Sequence, residues 1–167
     1  MYAPFDILPA TSKVWIYQAN RKLTIEEETT VGAALKQLCE EWLAHGQPLR
    51  TSYKIEYSQF IILAVDEDYN NASGCSIDGS VRALKQLQAT LGVDFFDRTQ
   101  VTFLMGSEVK VFPLVEIKNM FASSKLQGST ITFNNFVTVK SDFEKNWKTP
   151  AEKTWLIKYL PKTALTS

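Results

Sequence analysis

Apolar positions along the chain switch between a period near two and a period near 3.6, and the switches mark out elements. Lys13–Gln18 (KVWIYQ) is dense in aromatic and β-branched residues and reads as a strand. After a turn at Asn20–Lys22, Val31, Leu35, Leu38 and Trp42 recur at i, i+4, i+7 and i+11, one face of a helix. Thr24 and Glu27 stand before it at capping-box spacing, and Glu26, Glu27 and Glu28 suit its positive end. Gly46 and Pro48 are expected to stop this helix, with His45 at its last turn. Two strands follow: Ser52–Tyr57, which alternates Tyr53, Ile55 and Tyr57, and the nearly all-apolar Gln59–Asp66. The link between them makes a hairpin, although Ser58-Gln59 is poor turn chemistry. Beyond a polar loop at 66–76, Ile77, Val81, Leu84, Leu87 and Leu91 predict a second helix with Gly92 as its C-cap. Gln100–Met105 and Glu108–Phe112 read as a hairpin across Gly106-Ser107, a Gly-first pair suited to a type II′ turn.

This order, β-α-β-β-α-β, is the succession of the ferredoxin-like split βαβ fold, an α+β class. An extra hairpin strand would extend the sheet edge. The core is expected at about 13–112. A C-terminal extension at about 113–167 adds a short helix at Pro113–Ser124, a strand at Thr130–Val139 interrupted by Asn134-Asn135, and a last helix at Ala151–Leu160. These C-terminal helices would pack over the open sheet face. A length of 167 residues fits a single domain, 1–167, with no internal repeat and no separating linker.

Charge changes the picture only locally. The 18 basic and 18 acidic residues cancel, but residues 1–97 hold 8 basic and 13 acidic residues and residues 98–167 hold 10 and 5. The split suits a dipolar surface. It lacks the clustered cations that nucleic-acid backbone binding requires, so nucleic acid is not an expected partner. The start MYAPFDILPA has no signal-peptide pattern, and the apolar run Phe60–Val65 is too short to span a bilayer. Cys39 and Cys75 read as reduced thiols, which makes the cytoplasm the expected location. One histidine and two cysteines fall short of a structural zinc site, and the loop acids match no calcium loop, so no metal is expected. The sequence contains no GxxxxGK[ST], GxGxxG or GxSxG, and no cofactor is expected.

The run Ser73-Gly74-Cys75-Ser76-Ile77-Asp78-Gly79-Ser80 carries the most chemistry. It joins a buried strand to a helix N-terminus, where unpaired amides favour an anion and a thiolate. Gly74 and Gly79 permit close approach, and Gly74, Ser76, Gly79 and Ser80 could hold a small anionic or phosphate-bearing ligand. In a cysteine-dependent hydrolase or transferase, Cys75 would attack and Ser76 with neighbouring amides would steady an oxyanion. His45 would be the base, with Asp66 or Asp78 orienting it. Each residue also has a structural reading. Ser76 can cap the helix, Asp78 can pair with Arg82, Cys75 can be a small buried hydrophobe, and His45 can cap a helix end. Asn134 and Asn135 are either a ligand-binding amide pair or a turn. Trp147, Trp155 and Tyr159, near the basic tail, can form a contact patch or anchor a terminal helix.

The segments Trp42-Leu-Ala-His45-Gly46-Gln-Pro48-Leu49, Gly74–Ser80 (GCSIDGS) and Thr132–Val137 (TFNNFV), with Trp147 and Pro150, together resemble an uncharacterised family of Bacteroidetes proteins. Its members often carry the label "ABC transporter ATPase". The likeness covers nearly the whole chain. The label implies a Walker A loop and a much larger catalytic domain, and this sequence has neither. The resemblance draws attention to His45, Cys75, Ser76, Asp78, Asn134 and Asn135 and assigns them no role. With no complete catalytic set, the leading expectation is a binding or interaction module that meets a protein partner or a second copy of itself through an open sheet face or edge.

Overall fold

In a computed structural model, residues 1–44, 46–66 and 74–162 are described, with the backbone alone for 44 and 74–78. The chain is α+β, and it gathers into two compact units. One comprises Met1–Asp97 with Phe136–Glu144; the other comprises Arg98–Asn135 with the chain from Lys145 onward.

In the first unit β1 (Lys13–Gln18) leads to α1 (Ile25–Glu41). The expected capping box forms: the Glu27 N–H donates to Thr24 Oγ1 at 3.1 Å and the Thr24 N–H to Glu27 Oε1 at 2.9 Å. The helix stops earlier than its periodicity predicts. Trp42 is already extended, and Leu43–Ala44 (β2) pairs with Gln47–Pro48 (β3). Gly46, at φ 77°, serves the turn of this small hairpin instead of a helix C-cap.

β4 (Arg50–Glu56), β5 (Phe60–Asp66) and α2 (Gly74–Leu91) complete the unit. The sheet order is β1-β5-β4, antiparallel at both joins, so β1 and β4 run the same way with β5 between them. All seven residues of β5 are buried, as its apolar run implies. Ile61, Leu63 and Val65 share one sheet face and pack with Val31 and Leu35 of α1 and Leu84 and Leu87 of α2. The β4–β5 turn places Tyr57 and Ser58 at φ 55° and 53°, left-handed for two non-glycine residues. Neighbours hold it there. Ser58 O accepts from the Leu23 N–H at 2.7 Å, and Ser58 Oγ donates to Glu28 Oε2 at 2.8 Å. Gln59 O accepts from the Ala19 N–H at 2.7 Å.

The fourth strand of the expected ferredoxin-like order does not join this sheet. β6 (Gln100–Met105) already has partners on both edges, β7 (Glu108–Pro113) and β8 (Ile131–Phe133), so neither edge is left for β1. The outer edge of β1 instead takes a single bridge, Lys13 to Val139, with the Val14 N–H donating to Thr138 O at 2.9 Å. Just beyond, Lys140 is buried. Its Nζ donates to Leu8 O at 2.7 Å and lies 5.2 Å from the Phe5 ring, fastening the N-terminal arm.

The second unit is a sheet of order β7-β6-β8-β9, with β9 at Lys148–Pro150. The hairpin across Gly106 (φ 68°) has the expected glycine-led turn. α3 (Leu114–Ala122) packs Ile117 and Phe121 with Phe103, Leu126 and Leu156. The strand expected over Thr130–Val139 is only Ile131–Phe133, and β9 occupies a segment for which no element was expected, as does α4 (Lys140–Asn146), most of which belongs to the first unit. The final helix is two 3-10 turns, Ala151–Lys153 and Trp155–Tyr159. Thr154 is fully extended between them, and its Oγ1 accepts from the Leu156 N–H at 3.1 Å, which starts the second turn afresh.

Candidate functional site

The Gly74–Ser80 run opens α2. The helix starts at Gly74, so Cys75, Ser76 and Asp78 all lie in its first turns, earlier than the start expected near Ile77. Their side chains, and His45, lie outside the described residues, and so does the Cys75–His45 pairing. Ser80 is buried one turn further on and shares a hydrogen bond with the Tyr17 phenol. Burial pushes that phenol up from its ordinary value, and the Ser80 bond opposes the shift. Asp66 is buried at the end of β5, 3.7 Å from Arg50, its cross-strand partner at the start of β4. Gly79 has no positive φ, and a Cβ there would meet no atom within 4 Å. Neither backbone strain nor packing therefore requires a glycine at this place in the helix.

The asparagine pair belongs to the second unit. The Asn134 N–H donates to Trp147 O at 2.6 Å, and Asn135 Oδ1 accepts from the Trp147 indole at 2.9 Å. Trp147, its ring tilted against that of Phe133 at 4.8 Å, is buried and is no part of a contact patch. Trp155 and Ile157 are 39% and 43% exposed, and Lys158 lies 5.6 and 5.2 Å from the rings of Trp155 and Tyr159.

The other cysteine, Cys39, is fully buried. Burial pushes its thiol up to about 11, against a smaller lowering by Thr51, so it stays protonated at neutral pH. Among the described residues no group of three metal-ligating side chains occurs, and no helix is long and apolar enough to cross a membrane.

A groove of about 470 Å³ in the first unit was not expected from the sequence. Ile25, Glu28, Thr29 and Gly32 of α1 line one wall, and Tyr53 and Ile55 of β4 the other. Ile25 is 86% exposed, at the first position of the helix and off its buried stripe. Gly32 leaves the groove open: a Cβ there would lie 3.8 Å from Tyr53 Oη and 3.9 Å from Ile55 Cδ1. The one signal in the sequence was the spacing of Ile25, Thr29 and Gly32 at i, i+4 and i+7, which marks a second helix face. β4 is an edge strand, so the wall formed by Tyr53 and Ile55 is also a sheet margin. No family model, no curated protein and no solved structure matches this chain.

Proposed function

We propose that this chain is a non-catalytic binding or interaction module, working in the cytoplasm, whose contact surface is the groove between α1 and β4. One observation carries the reading: a large aliphatic side chain, Ile25, stands 86% exposed at the mouth of a groove beside a sheet margin. Burying such a side chain against a partner is worth about 1.5–3 kcal/mol, which gives the groove a reason to be covered. A photo-crosslinking amino acid in place of Thr29, on the groove wall, tests it in cells. One discrete adduct, lost when Ile25→Asp is added, is the expected result. A uniform smear or no adduct would overturn the reading.

A second reading rests on the position of Cys75, second residue of α2, where the helix dipole favours a thiolate. It makes the chain a small cysteine-dependent hydrolase or transferase, with Cys75 as nucleophile and His45 as base. Alkylation by iodoacetamide tests it against Cys39 as the internal control. Cys75 should react with a pKa well below 8.5, the free-thiol value; an ordinary pKa would remove this reading and leave the first untouched.

A further inference from the structure

We infer that the margin of β4 from Tyr53 to Glu56, to which no described strand bonds, pairs with the same margin of a second copy of this chain, antiparallel, about a two-fold axis at Ile55. The inference rests on the reading of the groove as a contact surface and names its occupant. It begins with the backbone. Thr51 turns its N–H and C=O away from β5: its N–H donates to Met1 O at 2.9 Å, and its C=O accepts from the Ala3 N–H at 2.8 Å. The β4–β5 register runs without a bulge from Arg50 to Glu56, and in an antiparallel ladder outward-pointing groups recur every second residue. Tyr53 and Ile55 therefore present their N–H and C=O groups outward. The N-terminal strand that covers Thr51 does not continue over them: the next amide in its ladder would be that of Phe5, where the chain turns into a 3-10 helix at Phe5–Ile7.

Such a margin is a template for another strand, and the residues around Ile55 select which strand. In a two-fold pairing, residues equidistant from the axis face each other. With the axis at Ile55, the two copies of Ile55 exchange both backbone hydrogen bonds. Lys54 of each copy then stands directly opposite Glu56 of the other, in the closer, non-hydrogen-bonded type of pair. A self-complementary surface requires opposite charges at equal distances on either side of the axis. Lys54 and Glu56, already 3.5 Å apart within one chain, satisfy that condition. On the opposite face of the strand the two Ile55 side chains would meet at the groove, beside the exposed Ile25. The window from Tyr53 to Glu56 is short, so the association is weak and concentration-dependent.

The charges supply the test. Sedimentation of the full chain over a concentration series should show a reversible monomer–dimer equilibrium. Lys54→Glu and Glu56→Lys, each alone, should weaken it at least tenfold, because like charges then face each other. An equimolar mixture of the two variants should dimerise again, one copy presenting two acids and the other two bases. The double exchange, Lys54→Glu with Glu56→Lys, should restore self-association. Circular dichroism checks that each variant is folded. A wild-type chain that stays monomeric at high concentration, or single variants that dimerise as well as wild type, would overturn the inference and leave the two charges as guards of the edge. The crosslink at Thr29 separates this failure from that of the broader reading. An adduct to a different protein keeps the groove as a contact surface while the self-pairing falls, and an adduct of twice the chain mass supports both.

Discussion

The two units hold themselves together differently, and their charges differ in sign. The first carries 9 basic and 15 acidic residues and the second 9 and 3, so a chain of zero net charge is an acidic body joined to a basic one. The first unit buries an aliphatic layer, Ile61, Leu63 and Val65, beneath helices of 17 and 18 residues. Its outlying segments are tied down by polar contacts, such as Lys140 reaching Leu8 across 132 residues of sequence. The second unit has strands of three to six residues and one nine-residue α-helix. There rings staple the sheet to its cover: Phe103 lies 6.1 Å from Phe112 and 6.4 Å from Phe121, and Phe133 lies 4.8 Å from Trp147. Rings pair in the first unit too, Trp15 6.3 Å from Trp42 and Tyr17 5.5 Å from Phe96, where they flank the aliphatic layer. What differs is the cover above them: two long helices in the first unit, one short helix and 3-10 turns in the second, so each buried ring there carries a larger share of the packing.

The largest effect should come from breaking the ring staple. Phe103→Ala removes a fully buried ring and should cost about 3–5 kcal/mol in urea melts, with hydrogen exchange rising first in peptides from β6 to β9. A loss under about 1 kcal/mol would mean that the rings are not the staple. In the first unit, Lys140→Ala leaves the Leu8 carbonyl without its cation and should cost about 2 kcal/mol, with exchange rising in the N-terminal arm. Gly79→Ala should stabilise α2 by about 0.5–1 kcal/mol, since alanine fits the space and favours helix. Destabilisation instead would show that something approaches that backbone closely.

The smallest effect concerns Glu27, whose carboxyl is held down to about 2, first by the Arg21 guanidinium and then by the Thr24 backbone N–H. Because its folded pKa is depressed, its stabilising contribution is present above about 4.5 and is lost as pH falls through about 2. Thermal melts of wild type and Glu27→Gln should therefore converge as pH is lowered from 7 to 2. A constant gap would assign the effect to the shape of the side chain, not its charge.

Local signals in the sequence carried as far as their range. The strand at Lys13–Gln18, the Thr24–Glu27 box, the Gly92 C-cap and the hairpin across Gly106 all depend on neighbours a few residues apart, and all form. The sheet partner of Gln100–Met105 depends on Ile131–Thr132, some thirty residues on, and no local period encodes that competition. The same limit explains the end of the second unit. Ala151–Leu160 reads as one helix after Pro150, but Thr154 is extended and its hydroxyl caps a second, separate 3-10 turn. Of the candidate site, the nearness of Cys75 to a helix N-terminus was legible from the polar loop and the apolar stripe after it, but that the helix begins at Gly74 and takes Cys75 into its first turn was not. That Asn135 would serve Trp147, and Ser80 Tyr17, was not, because each needs a partner from a distant strand or helix. The groove escaped notice because Ile25 sits off the stripe that the periodicity was reading.

The bridge from Lys13 to Val139 has a consequence for synthesis. Everything the first sheet needs is made early except the segment that closes its outer edge, which leaves the ribosome only after most of the second unit's strands have been translated. Val139 lies 73 residues after the end of β5, so at about 5–20 residues per second that edge waits roughly 4–15 seconds, unprotected, beside other nascent chains. A chaperone that shields strand edges during translation would find its natural client in this interval.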